Sequence, residues 1–303
     1  MTSESMVLET TAAVGSSRLR DFVALTKPRI SVMVLATVAA AGYLASTVVS
    51  ISPWSVLHAV IGTLLIAASG SALNQAIERW LDARMSRTQD RPLPSRRLST
   101  TEVVVFGTVT FCVGVVYLAT AIGPATAWIG IATWVLYVWI YTPLKTRTWT
   151  NTIVGAVAGA MPVLIGWYAT GAPTHLWIVS LFGTLFLWQF PHFMAIAWLY
   201  RKEYAKGGMK MLPVIDPSGY WSGIEAVVTA VALIPVIIAP AWVLEGPIRW
   251  IYLIVVSIPS LFYLRASWRF FVSRDDLTAR YLLRVSLLHL PLSLLAMILA
   301  TLL

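Results

Sequence analysis

The sequence predicts an all-α bundle of nine transmembrane helices. Three observations predict it: an apolar composition, apolar runs of spanning length, and basic residues confined to one side. Of 303 residues, 58% are hydrophobic and only 12% charged, with a mean hydropathy of +0.77. That is too apolar for a soluble domain and fits a polytopic membrane chain. A spanning helix needs about 20 apolar residues. Segments 30–49, 54–77, 103–121, 125–141, 153–170, 176–200, 223–244, 248–264 and 285–303 qualify.

Each segment has its own warrant. The first follows "LTKPRI", which puts Lys27 and Arg29 just below it, and "SISP" turns the chain into the second. The second ends in the charged stretch "NQAIERWLDARMSRTQDRPLP". The third contains the only cysteine, Cys112, in "VTFCVGVVYL"; one thiol excludes an internal disulfide, and it reads as a small buried hydrophobe. A "GP" turn leads to the fourth, which ends "WIYTPLKTRTWTN". The fifth carries Gly155 and Gly159, a small-residue face suited to close helix packing. After "TGAPTH", the sixth ends "LWQFPHFMAIAWLY", where Pro191 is expected to kink the helix. The seventh and ninth are long apolar runs, whereas the eighth is bracketed by Arg249 and Arg265, which must snorkel.

With nine spans, every lysine and arginine of the 22 except Arg249 falls on one side. The positive-inside rule then makes that side cytoplasmic, with the N-terminus inside and the C-terminus outside. The net charge of +9 is thereby explained by cytoplasmic loops, and no basic surface module points to nucleic acid. The opening "MTSESMVLETTAAVGSSRLRDF", with Glu4 and Glu9, lacks the basic leader and apolar core of a cleavable signal. The chain divides into a cytoplasmic arm over 1–24 and one integral membrane domain over 25–303. A bacterial plasma membrane is its simplest location.

Asn74, Glu78 and Asp82 recur every four residues, so they share one helix face with a drift of about 40° per step. An acidic pair at a helix end reads, taken alone, as a solvated terminus paired to nearby arginines. Three features favour a site. Asn74 lies inside the apolar run "LLIAASGSALNQAI", where an unpartnered amide is costly. Arg84, Arg87, Arg91 and the stop signal "RPLP" hold a basic loop over the stripe. An amide and two carboxylates also offer the hard oxygens that Mg2+ takes when phosphates and waters supply the rest.

A second locus is "LWQFPHFMAIAWLYRKEYAKGGMKMLPV". His192 stands among Trp188, Phe190 and Phe193, and reads either as a satisfied core histidine or as a substrate contact. Glu203 follows among Arg201, Lys202, Lys206 and Lys210, and reads as their solvated partner or as a further metal ligand. Together these residues suit transfer of a prenyl group from an allylic diphosphate. Mg2+ held by Asn74, Glu78, Asp82 and Glu203 supplies Lewis-acid stabilisation. Lys27, Arg29, Arg87, Arg91, Tyr141, Lys145, Arg147 and Lys202 are the candidates to bind the diphosphate. Tyr141, Trp188 and Phe190 are placed to face an allylic cation, and the bilayer takes the lipid tail. A transporter, suggested by many spans and intramembrane polar groups, should instead carry its acids near the midplane.

At "LTKPRI", "ALNQAIERWLDARMSRTQDRPLP", "YTPLKTRTWTNTIVGAVAGAMPVLIGW" and "WQFPHF…EYAKGGMKMLPV" the chain resembles the UbiA-type intramembrane prenyltransferase superfamily. "WQFPHF" with "GGMKMLP" resembles its haem-modifying branch. The resemblance implies a nine-helix bundle with a cavity open to lipid, and Mg2+ as cofactor. It implies farnesyl diphosphate and haem B as substrates, joined at a haem vinyl group with addition of water. It places His192, Trp188 and Phe190 on the haem side, and suggests hand-off to a haem-modifying enzyme or an oxidase assembly factor. Gly207 stands four residues after Glu203, where many superfamily members carry a second acid. A superfamily member acting on another aromatic acceptor is the nearest alternative.

Overall fold

The computed structural model describes residues 18–302; residues 1–17, with Glu4 and Glu9, and Leu303 lie outside the described residues. Among the described residues nine helices are long and apolar enough to cross a membrane: α1 (Pro28–Thr47), α2 (Pro53–Asp82), α3 (Thr100–Ala121), α4 (Pro124–Leu144), α5 (Asn151–Tyr168), α6 (Leu176–Leu199), α7 (Tyr220–Val243), α8 (Gly246–Ser273) and α9 (Asp276–Leu299). The chain is a multi-pass membrane protein.

Local chemistry sets most of the helix starts. Pro28, Pro53 and Pro124 occupy first-turn positions of α1, α2 and α4, where a missing N–H costs nothing. Ser99 and Glu102 form a reciprocal capping box on α3. The Asp275 carboxylate accepts from the Thr278 N–H at the start of α9. Before α7, Gly219 has φ 73°, and a Cβ there would lie 2.4 Å from the Trp198 ring. Only glycine meets both conditions.

Three boundaries differ from the sequence expectation. Helix α2 runs past Ile77 to Asp82, so Asn74 and Glu78 lie within the helix and Asp82 is its last residue. Helix α8 continues through Arg265 and Arg269, and α9 begins at Asp276. The expected basic loop over 265–284 therefore shrinks to a turn at Arg274 and Asp275. Both extensions stay helical because Ala266 and Phe270, then Ala279 and Leu282, are buried at helical spacing. Helix α6 passes through Pro191 without interruption.

Each helix touches its chain neighbour, and α9 meets α1, which closes the ring; α1 also packs on α5, and α6 on α9. The largest apolar core lies at the end away from the basic residues. It joins Leu44 of α1, Trp167 of α5, Trp177 and Leu181 of α6, Ile237 of α7, Tyr252 of α8 and Met297 of α9. Exposed Trp250 and Trp268 lie at opposite ends of α8, about 27 Å apart by helical rise. That separation fits the hydrocarbon thickness. Residues 18–25 form a short helix strapped on by ion pairs from Asp21 to Arg97 (2.9 Å) and from Arg18 to Glu102. Gln75 Nε2 also donates to its Leu25 carbonyl at 2.9 Å.

The tightest backbone approach is between α1 and α5. A Cβ on Gly166 would lie 2.1 Å from the Val38 carbonyl oxygen. Gly166→Ala should therefore force the two helices apart and cost about 1–3 kcal/mol, the usual scale of overpacking. A lower thermal unfolding midpoint in detergent is the expected result; an unchanged midpoint would show that the helices can separate freely.

Candidate active site

Helix α2 buries Asn74, Glu78 and Asp82, whose exposures are 1%, 3% and 1%. This burial rules out a solvated helix end. Each of the three meets a cation from a different segment. The Lys27 Nζ donates to Asn74 Oδ1 at 3.0 Å, the Lys145 ammonium lies 2.8 Å from Glu78 Oε1, and Arg91 Nη1 donates to Asp82 Oδ2 at 2.7 Å.

Three local structures deliver these cations. Lys27 sits just before Pro28 with φ 49°, a left-handed conformation that non-glycine residues adopt at a cost. Arg91 belongs to a chain of turns over 83–99, bound to α2 through the Thr88 hydroxyl, which donates to the Asp82 carbonyl at 2.8 Å. Lys145 follows α4, with its ammonium 4.5 Å from the centre of the Tyr141 ring.

Electrostatics tie the set together. Burial, with Arg91 and Lys145 nearby, pushes the Lys27 pKa down to about 7, against the pull of Glu78 and Asp82. Burial also opposes the charge on Lys145, but the Glu78 carboxylate outweighs it and raises that pKa above the ordinary lysine value. The Lys145 ammonium lies off the hydrogen-bonding direction of Glu78 Oε1, which is left without a well-directed partner. A buried carboxylate oxygen in that state suits a metal ion.

Helix α4 contributes a π-turn at Leu136–Tyr141, a feature that often marks functional sites. It stacks Tyr137 on Tyr141, ring centres 5.6 Å apart. Thr142, immediately after it, accepts from Asn74 Nδ2 at 3.1 Å. Two residues before that turn, Trp134 Nε1 donates to Ser69 Oγ of α2 at 2.9 Å. The two glycines of α5 do pack closely, but against side chains: Gly155 against Tyr141, and Gly159 against Gln189.

Of the expected diphosphate ligands, Lys27, Arg91, Tyr141 and Lys145 gather near the stripe, while Arg29, Arg87, Arg147 and Lys202 are exposed. Arg87 instead lies over the Tyr200 and Tyr204 rings, at 5.0 and 5.9 Å. Glu203 holds the 83–99 loop in place. Its Oε2 accepts from the Ser86 N–H and hydroxyl at 2.7 and 2.9 Å, and its Oε1 accepts from Lys206 at 2.8 Å. Hydrogen bonds from Lys206 and Ser86 hold its pKa down to about 2. Among the described residues, no three His, Cys, Asp or Glu side chains gather as a metal site. The stripe thus offers Glu78, Asp82 and one amide oxygen, which matches Mg2+ when a substrate completes its shell.

The second locus divides. His192 stacks on Trp188, ring centres 4.7 Å apart, and its Nδ1 is 2.8 Å from Ser286 Oγ of α9. Trp188 Nε1 donates to the Ser286 carbonyl at 2.9 Å. Phe190, two residues from each, points to the far side of α6 and meets Phe186 edge-on. Sequence reasoning missed His289, which is buried beside Ser260 and Tyr263. It also missed Tyr137 and Thr142; the four-residue step from Tyr137 to Tyr141 was the available signal.

Residues 34–298 match the UbiA prenyltransferase family. The chain is 40% identical over 284 residues to the protoheme IX farnesyltransferase of Solibacter usitatus, covering 90% of this chain and 96% of that one. It is 42% identical over 282 residues to the protein of the same name from Rhodopirellula baltica, covering 90% and 97%. In fold it resembles a UbiA homologue from Aeropyrum pernix K1, with TM-score 0.69, 14% identity and coverage of 90% and 98%. It also resembles a UbiA homologue from Archaeoglobus fulgidus bound to DMAPP and Mg2+, with TM-score 0.66, 13% identity and coverage of 91% and 99%. By sequence over most of its length and by fold, the chain belongs to the UbiA prenyltransferase family.

Proposed function

We propose that this protein transfers the farnesyl group of farnesyl diphosphate to a vinyl group of haem B, with addition of water, giving haem O. The observation that carries this reading is the buried stripe of Asn74, Glu78 and Asp82, met by one cation from each of three separate segments. Relatives at 40% and 42% identity carry the matching name. Charge supports it as well. With Lys27 protonated beside a bound diphosphate, Lys27, Arg91 and Lys145 against Glu78 and Asp82 leave one net positive charge. A divalent cation raises this to three, which balances a fully ionised allylic diphosphate.

Glu78 and Asp82, with the Asn74 oxygen, would hold Mg2+, which when bound neutralises the diphosphate and favours its departure. Lys27, Arg91 and Lys145 turn from the stripe to the phosphate oxygens. The allylic carbon–oxygen bond breaks with its electron pair on the diphosphate, and Tyr141 and Tyr137 present their ring faces to the cation. The terminal vinyl carbon bonds to the farnesyl carbon, and water adds at the porphyrin-stabilised cation and loses a proton. Glu203 serves by fixing the loop that bears Arg91, and the exposed Arg29, Arg87, Arg147 and Lys202 attract the anionic headgroup at longer range. His192 and Trp188 face the haem, without Phe190.

Residues 25–303 act as one membrane domain and 1–24 as an arm. The basic side faces the cytoplasm of a bacterium, across its inner membrane. The product passes to a haem-modifying enzyme or an oxidase assembly factor. A transporter would place its acids at mid-membrane, whereas this stripe lies at the basic end of α2.

Incubation of purified protein with haem B, farnesyl diphosphate and Mg2+ should add the mass of farnesyl plus water to the haem. A chelator should abolish the gain, and an unchanged haem from folded protein would refute the acceptor. Asn74→Ala, Glu78→Gln and Asp82→Asn should each lower turnover at least about a hundredfold, the scale of a lost key electrostatic contact. A folded variant with wild-type turnover removes that residue from the site. For His192→Ala, haem use should weaken while farnesyl diphosphate binding is largely retained; equal loss of both would argue against a role on the haem side.

A further inference from the structure

Thr142 is 2% exposed and stands directly after the π-turn of α4. Regular α-helix would let its hydroxyl reach carbonyls three or four residues back. Here the wider turn brings it to the Tyr137 carbonyl, which accepts both the N–H and, at 2.8 Å, the hydroxyl of Thr142. A carbonyl has no proton to give, so the hydroxyl spends its single hydrogen on that bond. Only its lone pairs remain for Asn74, 3.1 Å away. They accept from the amide nitrogen and reject the amide oxygen.

The other end of the Asn74 amide lies 3.0 Å from the Lys27 ammonium, which has donors alone. Both neighbours therefore demand the same orientation, with Nδ2 toward Thr142 and Oδ1 toward Lys27. This assignment follows from donor and acceptor chemistry, which is the sound basis for orienting an amide. The two neighbours are not equivalent once substrate arrives. In the function proposed above the Lys27 ammonium turns to the diphosphate, whereas the Thr142 hydroxyl is anchored to the backbone of α4.

We propose that Thr142 is a positioning residue, locked by the π-turn, that holds the Asn74 amide oxygen toward the metal and diphosphate site after Lys27 has left it. The inference rests on the function proposed above. It explains why a buried threonine and a wide turn sit against one asparagine, and it assigns the α4 turn a role in cation affinity rather than in acceptor binding.

The test is farnesyl diphosphate binding, followed by calorimetry on the full-length protein without haem, at a series of Mg2+ concentrations. Thr142→Val removes the hydroxyl at nearly constant shape and should raise the Mg2+ needed for half-maximal binding about tenfold, the scale of losing one buried hydrogen-bonding partner. Thr142→Ser keeps the hydroxyl and should restore the wild-type requirement. In an Asn74→Ala background, Thr142→Val should add no further loss, because both changes act through one group. Thr142→Ala, which creates no clash, replaces the valine variant if that protein does not fold. A wild-type Mg2+ requirement in a folded hydroxyl-free variant would overturn the inference, as would a full additional loss in the Asn74→Ala background. If the wild type itself shows no Mg2+-dependent binding, the proposed function falls, and the inference with it.

Discussion

An apolar bundle cannot keep charge inside unless every charge finds a partner, and this requirement organises the basic end of the molecule. Glu78 and Asp82 are buried in the last turns of α2, where an unpaired carboxylate is far more costly than a paired one. Their partners come from Lys145 and Arg91, and Lys27 closes the set on Asn74. Segments distant in sequence are thereby fixed to one helix face. If the 83–99 turns moved away, Asp82 would lose its guanidinium partner, so electrostatics as well as packing hold the loop. Ser86 on Glu203, and Met85 against Gly207, pin the same loop from above.

The two ends of the bundle are built by different physics. At the end away from the basic residues, aromatic and aliphatic side chains from α1, α5, α6, α7, α8 and α9 form the largest apolar core. Such a core is close-packed and resists deformation. At the basic end, hydrogen bonds and ion pairs join the loops, as when the Lys210 N–H donates to the Lys145 carbonyl at 2.6 Å. Polar contacts of this kind can exchange partners for a charged ligand without opening the core. The bundle thus holds a rigid frame on one side and exchangeable contacts on the other.

Much of this was legible in the sequence because membrane burial leaves strong marks. Apolar runs gave the nine helices, basic asymmetry marked one end of the bundle, and a four-residue step put Asn74, Glu78 and Asp82 on one face. What could not be read depended on depth and on partners. Whether the stripe was solvated or buried hinged on how far α2 extends past Ile77, and apolar content stops marking a helix once charged residues begin. Basic residues were visible, but only the fold separates Lys27, Arg91 and Lys145 from Arg29, Arg147 and Lys202. Phe190 looked like a neighbour of His192 by proximity in the sequence, yet a step of two puts it on the opposite side of a helix. Thr142 and His289 carry no signal without their partners, since each matters through a contact with another helix.

The π-turn of α4 also bears on helix phase. Trp134 reaches Ser69 of α2, and eight residues later Thr142 reaches Asn74 of the same helix. An unbroken α-helix would carry Thr142 about 80° past the line through Trp134. The wider turn absorbs that rotation, so one side of α4 can face α2 over its whole length. Seven residues of regular α-helix would reach the same line to within about 20°, so the eighth leaves everything downstream, Lys145 included, on the same side of the helix. What the extra residue supplies is the wide turn itself, in which the single Tyr137 carbonyl accepts both the N–H and the hydroxyl of Thr142.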